Sequence, residues 1–127
     1  MQTKKRPKFL DVHILGAALP IPGKVSILHR ISGVALFAML PILLALLSGS
    51  LSSGEAFEYY KSWADNALVK LILIGVLWAF CHHLFAGIRF LLLDAHIGLE
   101  LQAARQSARI VLIAGVVVAL ILGVALW

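Results

Sequence analysis

Three long stretches without Asp, Glu, Lys or Arg dominate the sequence and restrict the environment in which it can fold. They cover residues 31–54, 71–88 and 110–127. A helix needs roughly 20 mainly apolar residues to cross a bilayer, and flanking Lys or Arg side chains that reach the interface extend the two shorter stretches. The pattern predicts an all-α integral membrane protein with three transmembrane helices. We expect these helices near residues 27–49, 66–93 and 106–127.

The composition excludes an ordinary soluble domain. Charged residues make up 13% of the chain and hydrophobic residues 61%, whereas soluble domains carry about 25% charged residues. The net charge of +5 would suit a nucleic-acid binder, but the basic residues lie at the edges of the apolar stretches and near the N-terminus. We therefore expect a single membrane domain over residues 1–127, a lipid bilayer as its surroundings, and no nucleic-acid partner.

The distribution of Lys and Arg predicts the orientation. Two basic residues, Lys61 and Lys70, lie in or beside the first loop. Nine lie in the first 30 residues or around the second loop: Lys4, Lys5, Arg6, Lys8, Lys24, Arg30, Arg89, Arg105 and Arg109. Because Lys and Arg accumulate on the cytoplasmic side, we expect residues 1–24 to form a retained cytoplasmic segment and the C-terminus to lie on the opposite side. Apolar and aromatic residues between charges at 55–63 predict a short interfacial helix.

His83 has the most informative surroundings of the polar residues in the second span. Gly75, Ala79, His83 and Gly87 recur every four residues and therefore share one helix face. Counted back from Arg89 at the cytoplasmic edge, His83 lies roughly 9 Å into the bilayer, where polar groups are costly. The small residues leave a groove that accepts either a neighbouring helix or a flat cofactor such as haem. The residues alone leave both interpretations open.

The neighbouring His82 points about 100° away around the helix. Its face lacks a regular run of small residues, so we expect a packed or hydrogen-bonding side chain. If His83 binds haem iron, a second axial ligand is required. The third span has no histidine or methionine, Met39 lies near mid-membrane, and His29 lies shallower than His83. A partner chain is therefore expected to supply that ligand.

A second polar group lies where the first span begins. Ser26, Arg30 and Gly33 fall on one helix face. A hydroxyl and a guanidinium one turn apart suit an acceptor oxygen, such as a quinone carbonyl or a propionate. The alternative, which local reasoning favours, makes Ser26 a helix cap and Arg30 a contact to lipid phosphate. For Arg89, the default expectation is a solvated pair with Asp94.

These motifs, in this order, resemble the cytochrome b556 membrane-anchor subunits of succinate dehydrogenase, the larger of the two small anchors. The most specific pair is Ser-x-x-His-Arg-x-Ser-Gly at 26–33 with His-x-x-x-Gly-x-Arg at 83–89, followed by Asp94. Arg6-Pro7 and the serine-rich stretch 50–53 also match, so the resemblance covers essentially the whole chain. Either of the two long motifs alone would be weak.

The resemblance implies specific roles for the site residues. His83 would be the axial ligand of haem b in this chain, and Ser26 and Arg30 would line the ubiquinone-reduction site. His29 and Arg30 would lie near the haem propionates, and Gly87 would pack against the haem. Many relatives have a histidine directly after the arginine of the second motif, whereas this chain has Phe90, so a propionate contact from that position is lost.

The resemblance also implies the partners and the membrane. We expect a second small anchor that supplies the other haem ligand, an iron–sulfur subunit that delivers electrons, and a flavoprotein that carries FAD and oxidises succinate. The expected location is the bacterial inner membrane, crossed several times. The alternatives are an anchor of a quinol:fumarate reductase and a three-helix assembly subunit without haem.

Overall fold

The computed structural model describes residues 18–127. They form four helices, which are α1 (Ile21–Ser50), α2 (Gly54–Ala64), α3 (Ala67–Asp94) and α4 (Leu101–Leu126). Helices α1, α3 and α4 are 30, 28 and 26 residues long, and each is apolar enough to cross a membrane. The predicted all-α membrane fold with three spanning helices is confirmed. Residues 1–17 of the predicted cytoplasmic segment 1–24 lie outside the described residues.

Helices α1 and α4 begin several residues before the positions predicted from charge. At the start of α1, Pro20 has an extended backbone and Pro22 lies in the first turn, where a missing N–H costs nothing. Helix α4 begins at Leu101 and includes Arg105. A charged residue limits the part of a helix that can lie in lipid, but it does not end the helix.

Small residues bring α3 and α4 together. Ala108, Gly115, Ala119 and Gly123 of α4 are all buried. A Cβ atom on Gly115 would lie only 3.3 Å from the Cα of His82, so the two backbones approach each other closely there. Membrane helices rely on such small residues because the hydrophobic effect does not drive helices together within lipid.

Helix α1 packs less completely. Of its described side chains only Val25 and Ser32 are buried, and Val25 forms a small cluster with Ala86 of α3 and Ala108 of α4. Most of its apolar residues are exposed, for example Phe37 at 80%. This surface is suited to lipid or to a further membrane helix.

Helix α2 lies beside the end of α1 and the beginning of α3. A Cβ atom on Gly49 of α1 would overlap the ring of Tyr60, so α2 packs against bare backbone there. Asp65 and Lys70 form an ion pair of 3.8 Å, and the Lys70 ammonium lies 5.6 Å from the ring centroid of Trp127. The C-terminal end of α4 is therefore at the same end of the bundle as α2, which is the end predicted to face away from the cytoplasm.

The orientation in the membrane stays a prediction. The bias of nine basic residues against two predicts a cytoplasmic N-terminus, and three spans then put the C-terminus on the opposite side. A periplasmic reporter fused after Trp127 should be active, and the same reporter inserted between α3 and α4 should be inactive. A C-terminal fusion that reports the cytoplasm would contradict the orientation.

Candidate functional site

His83 lies in the contact between α3 and α1, with one edge of its imidazole held by α1. Its Nδ1 is 3.0 Å from the carbonyl oxygen of His29 and 3.3 Å from the Oγ of Ser32. Because a carbonyl oxygen can only accept, Nδ1 carries the proton and donates. In the neutral ring the other nitrogen, Nε2, then has an in-plane lone pair, and it makes no hydrogen bond within residues 18–127. A neutral imidazole in this state is a metal ligand whose second nitrogen is already oriented.

The His29 ring lies face to face with that of His83. The ring centroids are 4.1 Å apart and the planes differ by 5°. The edge of Phe90 contacts His29 at a centroid distance of 5.1 Å. Nitrogen lone pairs lie in the ring plane, so two stacked imidazoles cannot point at one iron from opposite sides. His29 is therefore not placed as the axial partner of His83.

Three glycines near the histidines have different surroundings. A Cβ atom on Gly33 would lie 2.9 Å from Cε1 of His83, which is too close for a real contact. A Cβ atom on Gly87 would lie 3.6 Å from Nε2 of His29, whereas one on Gly75 would have nothing within 4 Å. The glycine that brings His83 against α1 is thus Gly33, which sequence reasoning had placed only on the face of Ser26 and Arg30.

An apolar cleft of about 380 Å³ lies between α1 and α3 next to this group. Ser32, Gly75 and Ala79 all line it, so two members of the small-residue stripe border open space. The other lining residues are Leu28, Ile31, Leu36, Met39, Ala35, Ile72, Val76 and Trp78. A volume of this size is in the range of small-molecule sites.

His82 lies on the α4 side of α3 and is fully buried. Its ring stacks on Trp78 with a centroid distance of 5.6 Å, and Gly115 packs against its backbone. Neither ring nitrogen has a hydrogen-bond partner in the described part of the chain. His82 was expected to be either packed or hydrogen-bonded, and its side chain is packed.

Arg89 connects α3 to α4. It is 5% exposed, and its Nε donates to the Oγ of Ser107 at 3.0 Å while Nη2 donates to the carbonyl of Ala104 at 3.1 Å. The expected pair with Asp94 is wrong, since Arg89 forms no ion pair with any residue of 18–127. Five positions along a helix place Asp94 about 140° away around the axis, so the two side chains leave α3 on different sides.

Ser26 and Arg30 lie within α1, three residues before and one residue after His29. Helix α1 begins at Ile21 with Pro20 in the capping position, so the alternative that made Ser26 a helix cap is wrong. Arg30 is exposed and Ser26 half-buried. Neither side chain forms a hydrogen bond or ion pair with another described residue. Both therefore keep their hydrogen-bonding groups available to something outside residues 18–127.

The structure thus divides the predicted site residues into two groups. His83, His29 and Gly87 come together between α1 and α3, whereas Ser26 and Arg30 remain at the surface of α1. Ser32 and Gly33 belong to the first group but were not predicted as site residues. The available indication was their position in the motif, three and four residues after His29 on the same helix.

The sequence matches a known group of membrane proteins. A family model described as the succinate dehydrogenase/fumarate reductase transmembrane subunit matches residues 2–122. The chain belongs to this family. The resemblance predicted from the motifs is confirmed, and the chain is a membrane-anchor subunit of this class of oxidoreductase complex, which associates with flavoprotein and iron–sulfur subunits.

Individual relatives within the succinate dehydrogenase/fumarate reductase family are similar over most of their length. The chain is 38% identical to the succinate dehydrogenase cytochrome b556 subunit of Paracoccus denitrificans, covering 89% of this chain and 86% of that protein. It is 34% identical to the subunit of the same name from Coxiella burnetii, covering 97% and 98%. It is 32% identical to a succinate dehydrogenase hydrophobic membrane anchor subunit of Halobacterium salinarum, covering 73% and 72%.

Proposed function

We propose that this anchor subunit binds haem b through Nε2 of His83 and forms part of the site where ubiquinone is reduced. The observation that carries the proposal is the hydrogen bond from Nδ1 of His83 to the His29 carbonyl. It fixes the tautomer in which Nε2 is free to coordinate iron. Two similar relatives are named cytochrome b556 subunits, which supports the binding of haem b.

The residues around His83 are compatible with a flat macrocycle. Gly33 lets the imidazole lie against α1, and Gly75 leaves open space on the same face of α3 as His83. The apolar cleft borders Ser32 and suits a largely apolar ring system. When bound, haem b supplies a one-electron redox centre. His83 would hold it, while His29 and Arg30 lie on the α1 segment proposed to face its propionates.

The proposed quinone contacts come from Ser26 and Arg30. Their spacing within α1 places them on one helix face, and neither is engaged by another described residue. Ser26 would donate a hydrogen bond to a quinone carbonyl. Arg30 would stabilise the negative charge that develops on the quinone oxygen during reduction. A position at the cytoplasmic interface gives the quinone access to water and its protons.

The remaining parts of the proposal concern the assembly. A second small membrane anchor would supply the other axial ligand, because His29 is stacked on His83 and does not oppose it. The iron–sulfur subunit would deliver electrons to the quinone after the flavoprotein has oxidised succinate. The exposed apolar surface of α1 offers room for a further membrane helix. The proposed location is the bacterial inner membrane.

An absorption spectrum of the purified wild-type complex tests the cofactor. We expect one low-spin b-type haem per complex in the reduced-minus-oxidised spectrum, because two histidine ligands give a strong axial field. Acid-extracted flavin measures the amount of complex and serves as the internal standard. A complex that assembles with full flavin content and no haem would refute haem binding and favour the haem-free assembly subunit.

Assays with two quinones distinguish the enzymatic alternatives. Succinate oxidation coupled to ubiquinone reduction supports the proposed direction. Faster turnover from menaquinol to fumarate would instead identify the chain as an anchor of a quinol:fumarate reductase. The family description names both enzymes, so the potentials of the partner quinone and of the haem decide between them.

A further inference from the structure

We propose that Ser32 and Gly33 are positioning residues that set the orientation of the His83 imidazole, so that α1 controls a ligand carried by α3. The inference rests on the proposed haem ligation by His83 and adds two residues to it. Neither residue would touch the iron. Each would act by restricting the orientation of the His83 imidazole, which would bind the iron.

Gly33 determines how closely the His83 ring approaches α1. A Cβ atom at this position would lie 2.9 Å from Cε1, 3.4 Å from Nδ1 and 3.9 Å from Nε2 of His83. The ring edge between its two nitrogens therefore lies directly on the α1 backbone. Any side chain at position 33 has to push this edge away, and the direction of Nε2 changes with it.

Ser32 acts at the protonated nitrogen. The side chain is 3% exposed, and its hydroxyl donates to the His29 carbonyl at 2.9 Å. With its proton directed to that carbonyl, Oγ presents lone pairs to Nδ1 of His83 at 3.3 Å. Nδ1–H is thereby shared between two acceptors on α1, the His29 carbonyl and Ser32. The proton stays on Nδ1, and Nε2 remains the basic nitrogen.

Together with His29, these residues fix the ring on three sides. The His29 imidazole covers one face at 4.1 Å, Gly33 limits one edge, and the His29 carbonyl with Ser32 holds Nδ1. All of these groups belong to three residues of one helix turn of α1. A ligand held in this way has little freedom to rotate, which favours a single, well-defined iron site.

Gly33→Ala in the assembled complex is the principal test, with Gly123→Ala as the matched control. Both changes add one methyl group to a glycine of a spanning helix, but only the first meets His83. We expect Gly33→Ala to shift the low-spin haem signals in electron paramagnetic resonance and to weaken haem retention by about tenfold or more, as is usual when a ligand-orienting group is lost. Gly123→Ala should match the wild type in both measurements, because its added Cβ would make only an ordinary contact with Ile74, at 3.8 Å.

Ser32→Ala provides a second test that adds no volume, and Ser50→Ala is its control. Ser50 is on the same helix and makes the same kind of hydrogen bond, to the Leu47 carbonyl at 2.8 Å, but it is far from His83 along α1. We expect Ser32→Ala to change the haem midpoint potential and the low-spin signal, and Ser50→Ala to change neither. If the complex with Gly33→Ala fails to assemble, the measurements on Ser32→Ala decide whether α1 orients the His83 imidazole.

Two outcomes separate this inference from the proposed function. If the wild-type complex contains haem and both Gly33→Ala and Ser32→Ala keep its content, signal and potential, the positioning role is refuted while haem binding stands. If the wild-type complex contains no haem, the proposed function itself is wrong and the positioning role falls with it. Flavin content, measured in every variant, shows that the complex has assembled.

Discussion

Replacing His83 with leucine is expected to remove nearly all of the low-spin b-type spectrum of the assembled complex. The change deletes Nε2 of His83, which makes no hydrogen bond within residues 18–127 and lies on the side of α3 that contacts α1. His82→Leu, one position away, should leave the spectrum largely intact, because that ring is fully buried between Trp78 and α4. Both variants replace a histidine of α3 with leucine, at nearly the same depth. The reduced-minus-oxidised spectrum, normalised to flavin content, measures the bound haem in each variant.

The opposite result would be equally informative. A normal spectrum in His83→Leu, together with loss of the spectrum in His82→Leu, would contradict the proposal. The haem would then lie on the opposite side of α3. Gly87→Leu extends the test without touching a ligand. Its side chain would meet the His29 ring, which lies 3.6 Å from the Cβ position, and should disturb haem binding through that contact.

Replacing Arg30 with leucine is expected to lower ubiquinone reduction by about a hundredfold, because a charged donor that stabilises developing negative charge commonly contributes this much to the rate. Ser26→Ala should lower it roughly five- to tenfold, as expected for one hydrogen bond between neutral groups. Electron transfer from succinate to an artificial acceptor that bypasses the membrane should persist in both variants. The measurement is the ratio of the two activities in the same preparation.

Arg105→Leu is the control for a general loss of positive charge. Arg105 is an exposed arginine of α4 on the same predicted side of the membrane as Arg30, but it has no place in the proposed site. We expect wild-type quinone reduction in this variant. Unchanged quinone reduction in both Arg30→Leu and Ser26→Ala, within an intact complex, would leave these residues as contacts to lipid or to a neighbouring subunit.

The sequence predicted the number of spans and the short helix α2, because both depend on the order of apolar and polar residues within one continuous segment. Apolar stretches long enough for a bilayer identify α1, α3 and α4, and amphipathic residues identify α2. The starts of α1 and α4 were predicted less accurately, since charges rather than backbone geometry were used to place them. Pro20 and Pro22 lie where α1 begins, and the charge pattern made no use of them.

The site was predictable only in part, because its residues come from more than one helix. The four-residue stripe that singled out His83 is a property of one helix, and it cannot show what another helix brings to the same ring. Ser32 and Gly33 contact His83 across 50 and more positions of sequence. The partner of Arg89 was missed in the same way, because Ser107 lies on α4, while the prediction considered neighbours on the same helix.

The attachment of Arg89 to α4 has a consequence for the synthesis of the protein. Helix α3 leaves the ribosome before Ala104 and Ser107 exist, so the guanidinium of Arg89 has no acceptor on α4 at that stage and can be satisfied only by water or lipid head groups at the interface. Only the six-residue connection 95–100 separates α3 from α4, and Arg89 of α3 can donate its hydrogen bonds to α4 as soon as both helices are present. We therefore expect α3 and α4 to settle in the bilayer as one hairpin, and a nascent chain that stops before Ser107 to hold Arg89 at the water interface.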